Sequence, residues 1–331
     1  MTDSFAFLVI TLIIVLAFEA VNGWTDAPNA IATVVSTRVL KPSTAVAMAV
    51  FFNLLGALSG TAVATTIGKG IVDLNVVNLE TVAAAALSVV IWSSLAAYFG
   101  LPTSESHGIV AGIAGAGVAV GGRDVLLLSG WEKVFTGLGV AVVGGFVGAF
   151  LLMFALLWAL RRASPALTYR LFSPLQLCSA AFMAWSHGTA DGQKAMGVMA
   201  MALAIYYHPG EAVGNFHVPL WVILLAASTM AVSTAFGGWR IIKTLGMRLT
   251  HLEPVHGFAA ETAAAMTITV SSRFGIPLST THTIGSAIMG VGATRRLSAV
   301  RWGVAQNIVM AWILTFPICF GLGWLIAWLL P

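Results

Sequence analysis

Long apolar stretches separated by short polar segments run through the whole chain. Six stretches approach or exceed the length of a membrane span: 5–21, 44–67, 82–99, 134–160, 218–236 and 303–330. A helix needs about 20 apolar residues to cross the hydrocarbon core of a bilayer. Helices also satisfy their own backbone hydrogen bonds in lipid. The pattern therefore predicts an all-α, polytopic membrane protein.

The composition supports this interpretation. Of 331 residues, 59% are hydrophobic and only 8% are charged, which leaves too few polar residues to cover a water-exposed domain. We expect the lipid bilayer as a partner and no nucleic acid. A GxxxxGK[ST] string is absent, so direct coupling to ATP is not expected. Cys178 and Cys319 lie in apolar segments, and we interpret them as packing residues.

Two short polar strings interrupt this pattern, and they resemble each other. The first is NGWTDAPNA at 22–30 and the second is HGTADGQKA at 187–195. They place Asp26 opposite Asp191, and their glycine and proline residues predict broken helices. Ionisable, broken segments at matching places in two halves indicate a transporter site at the interface of an internal repeat.

A second pair of strings follows the first. LPTSESH occupies 101–107 and IPLSTTH occupies 276–282. Hydroxyl groups at the start of a helix, together with free backbone N–H groups, can cradle an anion. The hydroxyl candidates are Thr103, Ser104, Ser106, Ser279, Thr280 and Thr281. The alternative is that they cap helices and allow close packing; His107 and His282 could link to protons or simply pack.

Carboxylates at membrane depth suggest a function, because an unpaired charge there costs several kcal/mol. Asp26 and Asp191 are our candidates for ion or proton coupling. The alternative is that each caps the start of a half-helix, as Asp often does. We also assign Glu261 to the coupling-ion region, whereas Glu19 could equally be a buried structural acid.

Lys194 stands where the first string has Asn29. Its ammonium could pair with Asp191, attract an anion, or occupy the place of a monovalent cation. We hypothesise that this tethered cation removes one ion site and favours proton coupling over sodium coupling.

The basic residues predict the topology. Eleven of the sixteen Lys and Arg residues fall in four connecting segments: Arg38, Lys41, Arg161, Arg162, Arg170, Arg240, Lys243, Arg248, Arg295, Arg296 and Arg301. The positive-inside rule places these segments in the cytoplasm. The two halves then have opposite orientations and both termini lie outside.

This topology gives three parts to the chain. We predict a first inverted repeat at 1–160, a cytoplasmic linker at 161–173 and a second inverted repeat at 174–331. Residues 81–120 and 257–293 would each form a re-entrant-like helical hairpin, because each must enter and leave on the same side.

Taken together, these motifs resemble the inorganic phosphate transporter (PiT) family over nearly the whole chain. The resemblance rests on 22–33, on 187–197, on GGWR at 237–240 and on STTHT at 279–283. It implies phosphate symport by alternating access in a bacterial inner membrane, with phosphate held between the two hydroxyl hairpins. Some similar proteins are proton-coupled carriers of metal–phosphate complexes, others use sodium, and some carry sulfate.

The resemblance and the residues together define a candidate site. The substrate-binding candidates are Asn22, Asp26, Asn29, Thr103, Ser104, Ser106, Asp191, Lys194, Ser279, Thr280 and Thr281. The coupling-ion candidates are Asp26, Asn29, Asp191 and Glu261. We assign no metal ligand and expect no cofactor beyond a coupling cation, H⁺ or Na⁺, with a divalent metal accompanying phosphate left open. A homodimer is compatible with the sequence but is not predicted by it.

Two residues depart from the family pattern. Ala190 stands where the family usually has Asn, and Glu105 lies inside a hydroxyl cluster where a small or neutral residue is usual. A carboxylate at 105 would repel a dianion unless it is protonated or paired with a cation. It could suit a metal-bound substrate or another anion.

Three other functions compete with phosphate symport. A sulfate permease would share the fold, because both anions are tetrahedral. An intramembrane aspartyl protease would need two carboxylates that share a proton, but the usual Gly-x-Gly-Asp context is missing. A channel is disfavoured because paired inverted motifs are typical of a rocking carrier. We therefore expect a transporter and not an enzyme.

Overall fold

The computed structural model describes residues 4–330 and confirms an all-α protein, with one isolated β-bridge between Val72 and Leu126 in that range. The helices are α1 (Phe5–Ser36), α2 (Pro42–Ala57), α3 (Ala62–Lys69), α4 (Leu79–Tyr98), α5 (Glu105–Gly121), α6 (Leu128–Ala159), α7 (Pro165–Tyr207), α8 (Leu220–Thr234), α9 (Trp239–Lys243), α10 (Pro254–Arg273), α11 (Thr280–Ala293) and α12 (Trp302–Leu329). A π-helical turn, Thr244–Arg248, follows α9. Residues 1–3 and 331, at the outer ends of the two predicted repeats, lie outside the described part.

The six apolar stretches correspond to six candidate spans. Helices α1, α4, α6 and α12 are each long and apolar enough to cross a membrane. The other two candidates are bent pairs: α2 and α3 meet at 71°, and α8 meets α9 with its π-helical turn at 63°. The predicted multi-pass membrane architecture is therefore confirmed.

The predicted helix breaks at the two polar strings are wrong. Residues 22–30 lie inside the continuous helix α1, and 187–195 lie inside the continuous 43-residue helix α7. Asp26 and Asp191 are therefore interior residues and do not cap half-helices. A single proline, Pro28, removes only one N–H donor, which neighbouring segments tolerate in a packed bundle.

The breaks occur instead between α2 and α3 and between α8 and α9. Helix α7 also begins earlier than expected, because Ser164 accepts a hydrogen bond from the Leu167 N–H and Pro165 occupies the first turn. Residues 165–173, which we predicted as part of the linker, are thus helical.

The order of elements repeats. A long helix, a bent pair, a hairpin and a second long helix form α1–α6, and the same series forms α7–α12. The leading helices of the two halves, α1 and α7, run antiparallel. Thr37 at the end of α1 donates a hydrogen bond to Gln176 at 2.9 Å. Asp26, earlier in α1, lies 3.7 Å from Lys194, which comes later in α7. The halves interlock, because α5 packs on α12 and α11 packs on α6.

The basic segments meet at one end of the bundle. Arg38 and Arg301 line one cavity together with Glu253, and Arg161 and Arg295 line the adjoining cavity with the same glutamate. Helix α1 ends at this face and α12 begins there. The first residues of α1 and the last residues of α12 therefore lie at the opposite end.

Glycines allow the leading helices to approach the bent pairs closely. A Cβ atom on Gly188 of α7 would lie 2.2 Å from the Asn53 carbonyl oxygen of α2. In the other half, a Cβ on Gly23 of α1 would lie 2.0 Å from Ser233 Oγ of α8. A larger side chain at either crossing would push α1 away from α8, or α7 away from α2.

We expect Gly188→Ala to destabilise the protein by about 1–3 kcal/mol, the usual cost of overpacking a close-packed contact. Thermal unfolding in detergent measures this effect. The matched control is Gly139→Ala in α6, where nothing lies within 4 Å of the added methyl group. Equal melting temperatures for the two variants would contradict the proposed role of Gly188.

Candidate functional site

A buried lysine joins the two polar strings. Lys194 Nζ lies 3.0 Å from Asp191 Oδ1 and 3.7 Å from Asp26 Oδ2. It also donates a hydrogen bond to Asn22 Oδ1 at 3.3 Å. All four residues are at most 2% exposed. The ammonium therefore bridges α1 and α7 in the interior of the bundle.

The second hairpin brings its hydroxyls to both aspartates. Thr281 Oγ1 donates to Asp26 Oδ1 at 2.9 Å, and Thr280 Oγ1 donates to Asp191 Oδ2 at 3.1 Å. Asn29 Nδ2 donates to Thr281 Oγ1 at 2.9 Å. The start of α11 thus contacts the polar strings of both halves.

The first hairpin contributes a carboxylate. Thr25 Oγ1 donates to Glu105 Oε1 at 2.8 Å, and Thr103 Oγ1 lies 3.4 Å from the same oxygen. The other oxygen of Glu105 is buried without a hydrogen-bond partner. Glu105 therefore belongs to the same buried region as Asp26, which immediately follows Thr25.

The two hairpin tips also touch each other. Ser106 Oγ donates to the Leu278 carbonyl oxygen at 2.9 Å. The rings of His107 and His282 are 4.7 Å apart, and neither ring has a hydrogen-bond partner. The structure therefore places the two hydroxyl strings face to face at the centre of the bundle.

Two of the predicted hydroxyls cap helices. Ser104 Oγ accepts from the His107 N–H at 3.2 Å and Ser279 Oγ accepts from the His282 N–H at 3.1 Å. The capping alternative therefore holds for both residues. A capping hydroxyl keeps its own hydrogen, so it can still donate to an anion.

Other polar groups orient the central aspartates. His187 Nε2 lies 3.2 Å from Asp191 Oδ2, and His187 Nδ1 lies 3.1 Å from Asn53 Oδ1. Asp26, His187 and Asp191 offer ligand atoms that all lie within 4.8 Å of one another. This donor set could hold a cation, and the Lys194 ammonium lies beside it.

The charges of the site do not balance. Asp26, Asp191 and Glu105 are buried carboxylates, and Lys194 is the one lysine or arginine within 4.0 Å of any of them in the described range 4–330. Fully ionised, these four groups would carry a net charge of −2. Uncompensated charge is costly at low dielectric. An anion would therefore bind here only together with protons or cations that offset this charge.

Glu261 lies apart from the central cluster of Asp26, Asp191, Lys194 and Glu105. Thr33 Oγ1 donates to its Oε1 at 2.6 Å, Gln176 Nε2 donates to the same oxygen at 3.1 Å, and Ser179 donates to its Oε2. Thr33 follows Asp26 by seven residues, or about 10 Å along α1. The structure therefore does not bring Glu261 into contact with Asp26 or Asp191.

Sequence reasoning left several contacting residues out of the candidate site. Thr25, Asn53, His187 and Glu105 all contact the cluster but were not assigned to it. Glu105 did stand out as a departure from the family pattern. His187 occupies the position of Asn22 in the second string, and Asn53 is the one amide side chain in the apolar stretch 44–67. Both could therefore have been assigned to the site from the sequence.

Comparisons with known proteins agree with the resemblance. The phosphate transporter family matches residues 22–170 and 162–323. A Rhizobium meliloti protein is 42% identical over 96% of this chain and 94% of its own length, and a Bacillus subtilis protein is 38% identical over 96% of each. Both are described as a "probable low-affinity inorganic phosphate transporter".

The fold also matches a solved structure. The structure titled "The sodium-dependent phosphate transporter" superposes with a TM-score of 0.87 at 23% identity, covering 100% of this chain and 99% of the other. That similarity establishes the shared fold, and the family match covers most of the sequence. The chain therefore belongs to the phosphate transporter family.

Proposed function

We propose that this protein is a secondary transporter that imports inorganic phosphate together with a cation. The names of its relatives support phosphate as the substrate. The observation that carries the mechanism is the meeting of two hydroxyl-bearing hairpin tips with two aspartates and one lysine in a buried cluster. Such a cluster offers donors for a tetrahedral oxyanion and carboxylates for its coupling cations.

Burial supports alternating access. The central residues Asp26, Asp191, Lys194, Thr280 and Thr281 are at most 2% exposed, so phosphate cannot reach them without movement of the helices. We infer that the antiparallel halves are an inverted repeat and rock against each other. If the basic end faces the cytoplasm of a bacterial cell, as the positive-inside rule indicates, both ends of the chain lie outside.

The hydroxyl groups can change partners during transport. Thr280 and Thr281 now donate to the carboxylates of Asp191 and Asp26. When a proton or another cation neutralises these carboxylates, the same hydroxyls become free to donate to phosphate oxygens. Binding of the cation and binding of phosphate would then favour each other, as symport requires.

Lys194 supports protons as the coupling ion. Its ammonium already lies between the two aspartates, where a monovalent cation would otherwise offset their charge. Asp26, His187 and Asp191 are the residues that would hold a divalent ion accompanying phosphate. Glu261 of α10 accepts hydrogen bonds from Thr33 of α1 and Gln176 of α7. It remains our candidate for a second coupling-ion site.

We expect Asp26→Asn and Asp191→Asn each to lower phosphate uptake roughly tenfold to a hundredfold. Each variant removes a charge-assisted hydrogen bond and an ion pair, and such hydrogen bonds contribute about 1.5–3 kcal/mol. Uptake of labelled phosphate into proteoliposomes, with sulfate as competitor, is the measurement. Asp124→Asn, at an exposed acid, is the control. Full uptake in either aspartate variant would refute the site assignment.

The tethered-lysine hypothesis predicts the coupling ion. The wild-type protein should take up phosphate under an imposed proton gradient without sodium. Lys194→Asn, which restores the residue found at position 29, should lose proton-driven uptake and gain a response to sodium. Lys133→Asn, at an exposed lysine, should behave as wild type. Sodium-dependent, proton-indifferent uptake by the wild type would exclude this hypothesis.

Removal of one hydroxyl tests its part in binding. Thr281→Val keeps the volume of the side chain but loses a donor, so we expect the KM for phosphate to rise roughly fivefold, as for a hydrogen bond of about 1 kcal/mol. Thr229→Val in α8 is the matched control, because that hydroxyl is exposed and bonds its own helix at Leu225. An unchanged KM in Thr281→Val would place phosphate elsewhere.

A further inference from the structure

The GGWR string at 237–240 has no role in the proposed mechanism, yet it packs against α1 beside the site. A Cβ on Gly238 would lie 2.9 Å from Pro28 Cγ and 3.1 Å from the Trp24 carbonyl oxygen. Because Pro28 has no N–H, α1 leaves this carbonyl without its usual helical partner. Gly238, just before α9, therefore packs on α1 at residues that precede and follow Asp26 in the chain.

A basic cavity of about 420 Å³ lies next to this segment. Its lining includes Tyr98, Phe99, Gly100, Arg240, Lys243 and Arg248. The three cations are exposed, and no carboxylate in residues 4–330 lies within 4.0 Å of any of them. The cavity therefore presents an uncompensated positive charge at the surface.

Contacts with Tyr98 restrain the Arg240 side chain. Its guanidinium lies 4.7 Å from the centroid of the Tyr98 ring, and Nη1 donates to the Tyr98 carbonyl oxygen. A guanidinium has five N–H donors. Most of them remain free to bind a phosphate group, and the cation–π contact restricts the orientation of the side chain.

An apolar cavity of about 480 Å³ adjoins the basic one and shares Tyr98 and Arg240 with it. Its other lining residues include Trp24, Ala97, Phe236 and Trp239. Phe236 is 70% exposed and Trp239 is 44% exposed. Exposed aromatic rings beside basic residues are typical of the membrane–water interface.

We propose that these two cavities bind one anionic phospholipid. Arg240, Lys243 and Arg248 hold its phosphate headgroup, and an acyl chain fills the apolar cavity beside Trp24. Free inorganic phosphate would satisfy the cations but leave the apolar cavity without a ligand. The bound lipid would hold the segment 237–240 on α1 and so stabilise the helix that carries Asp26.

Native mass spectrometry of the purified protein in detergent tests this proposal, with dioleoylphosphatidylglycerol and dioleoylphosphatidylcholine as probes. The wild type should bind the anionic lipid more tightly than the zwitterionic one. The double variant Lys243→Gln/Arg248→Gln should bind the anionic lipid roughly 30-fold more weakly, because each basic residue near an anionic lipid contributes about fivefold. Neither side chain forms a salt bridge within residues 4–330, so folding should be unaffected.

The matched control is Arg162→Gln/Arg170→Gln, which removes the same charge from exposed residues of the predicted cytoplasmic side. It should bind the anionic lipid as the wild type does. If both double variants bound the anionic lipid equally weakly, general charge attraction would explain the binding without a specific site. Displacement of the lipid by excess inorganic phosphate, or equally tight binding of glycerol 3-phosphate, would show an anion site without an acyl chain. Any of these three results overturns the proposal.

Transport provides a separate readout. In proteoliposomes, phosphatidylglycerol should raise the initial rate of phosphate uptake by the wild type several-fold over phosphatidylcholine alone, but not that of Lys243→Gln/Arg248→Gln. Both proteins should have the same rate in phosphatidylcholine. Lipid binding itself is measured without transport, so a failure of the phosphate proposal and a failure of this one are distinguishable.

Discussion

The ion contacts of Lys194 organise the centre of this protein. An isolated ammonium in the interior of a membrane protein is costly, and so is each isolated carboxylate. Lys194 lies between Asp26 and Asp191, so it offsets one of these two negative charges and links α1 to α7. Glu105 adds a third carboxylate, so the cluster lacks two positive charges when all four groups are ionised. This imbalance connects the packing of the helices to the proposed role of coupling cations.

The halves are similar in architecture but differ in chemistry. Glu261, with Thr33 and Gln176, forms a polar cluster that has no counterpart in the other half. Alignment of the hairpin motifs places Ala86 opposite Glu261, and alignment of the two polar strings places Thr11 opposite Gln176. Lys194 also differs between the halves, because the matching position of the first string is Asn29. The two halves thus share an order of helices, and differences at single matching positions give each half its own polar groups.

The helix boundaries show where local rules fail. Glycine, proline and asparagine in the string 22–30 predicted a break, yet α1 continues through it. The actual breaks are the segments 58–61 and 235–238. The glycines in the strings instead allow close packing of α1 and α7 against the bent pairs. Helix α7 also exceeds the length of a span but is not apolar enough to be recognised as one. Protein surrounds its polar groups, so hydropathy does not describe its environment.

The sequence by itself determined the all-α membrane class, the six apolar spans, the two pairs of matching motifs and the family. These features are local, because apolar length, charge and motif spacing can be counted along a chain. The tertiary structure alone decided which groups meet: Thr281 with Asp26, Thr280 with Asp191, and Glu105 with Thr25. It also separated Glu261 from the central aspartates. Contacts between residues far apart in the chain depend on how the helices pack, and no local pattern encodes that packing.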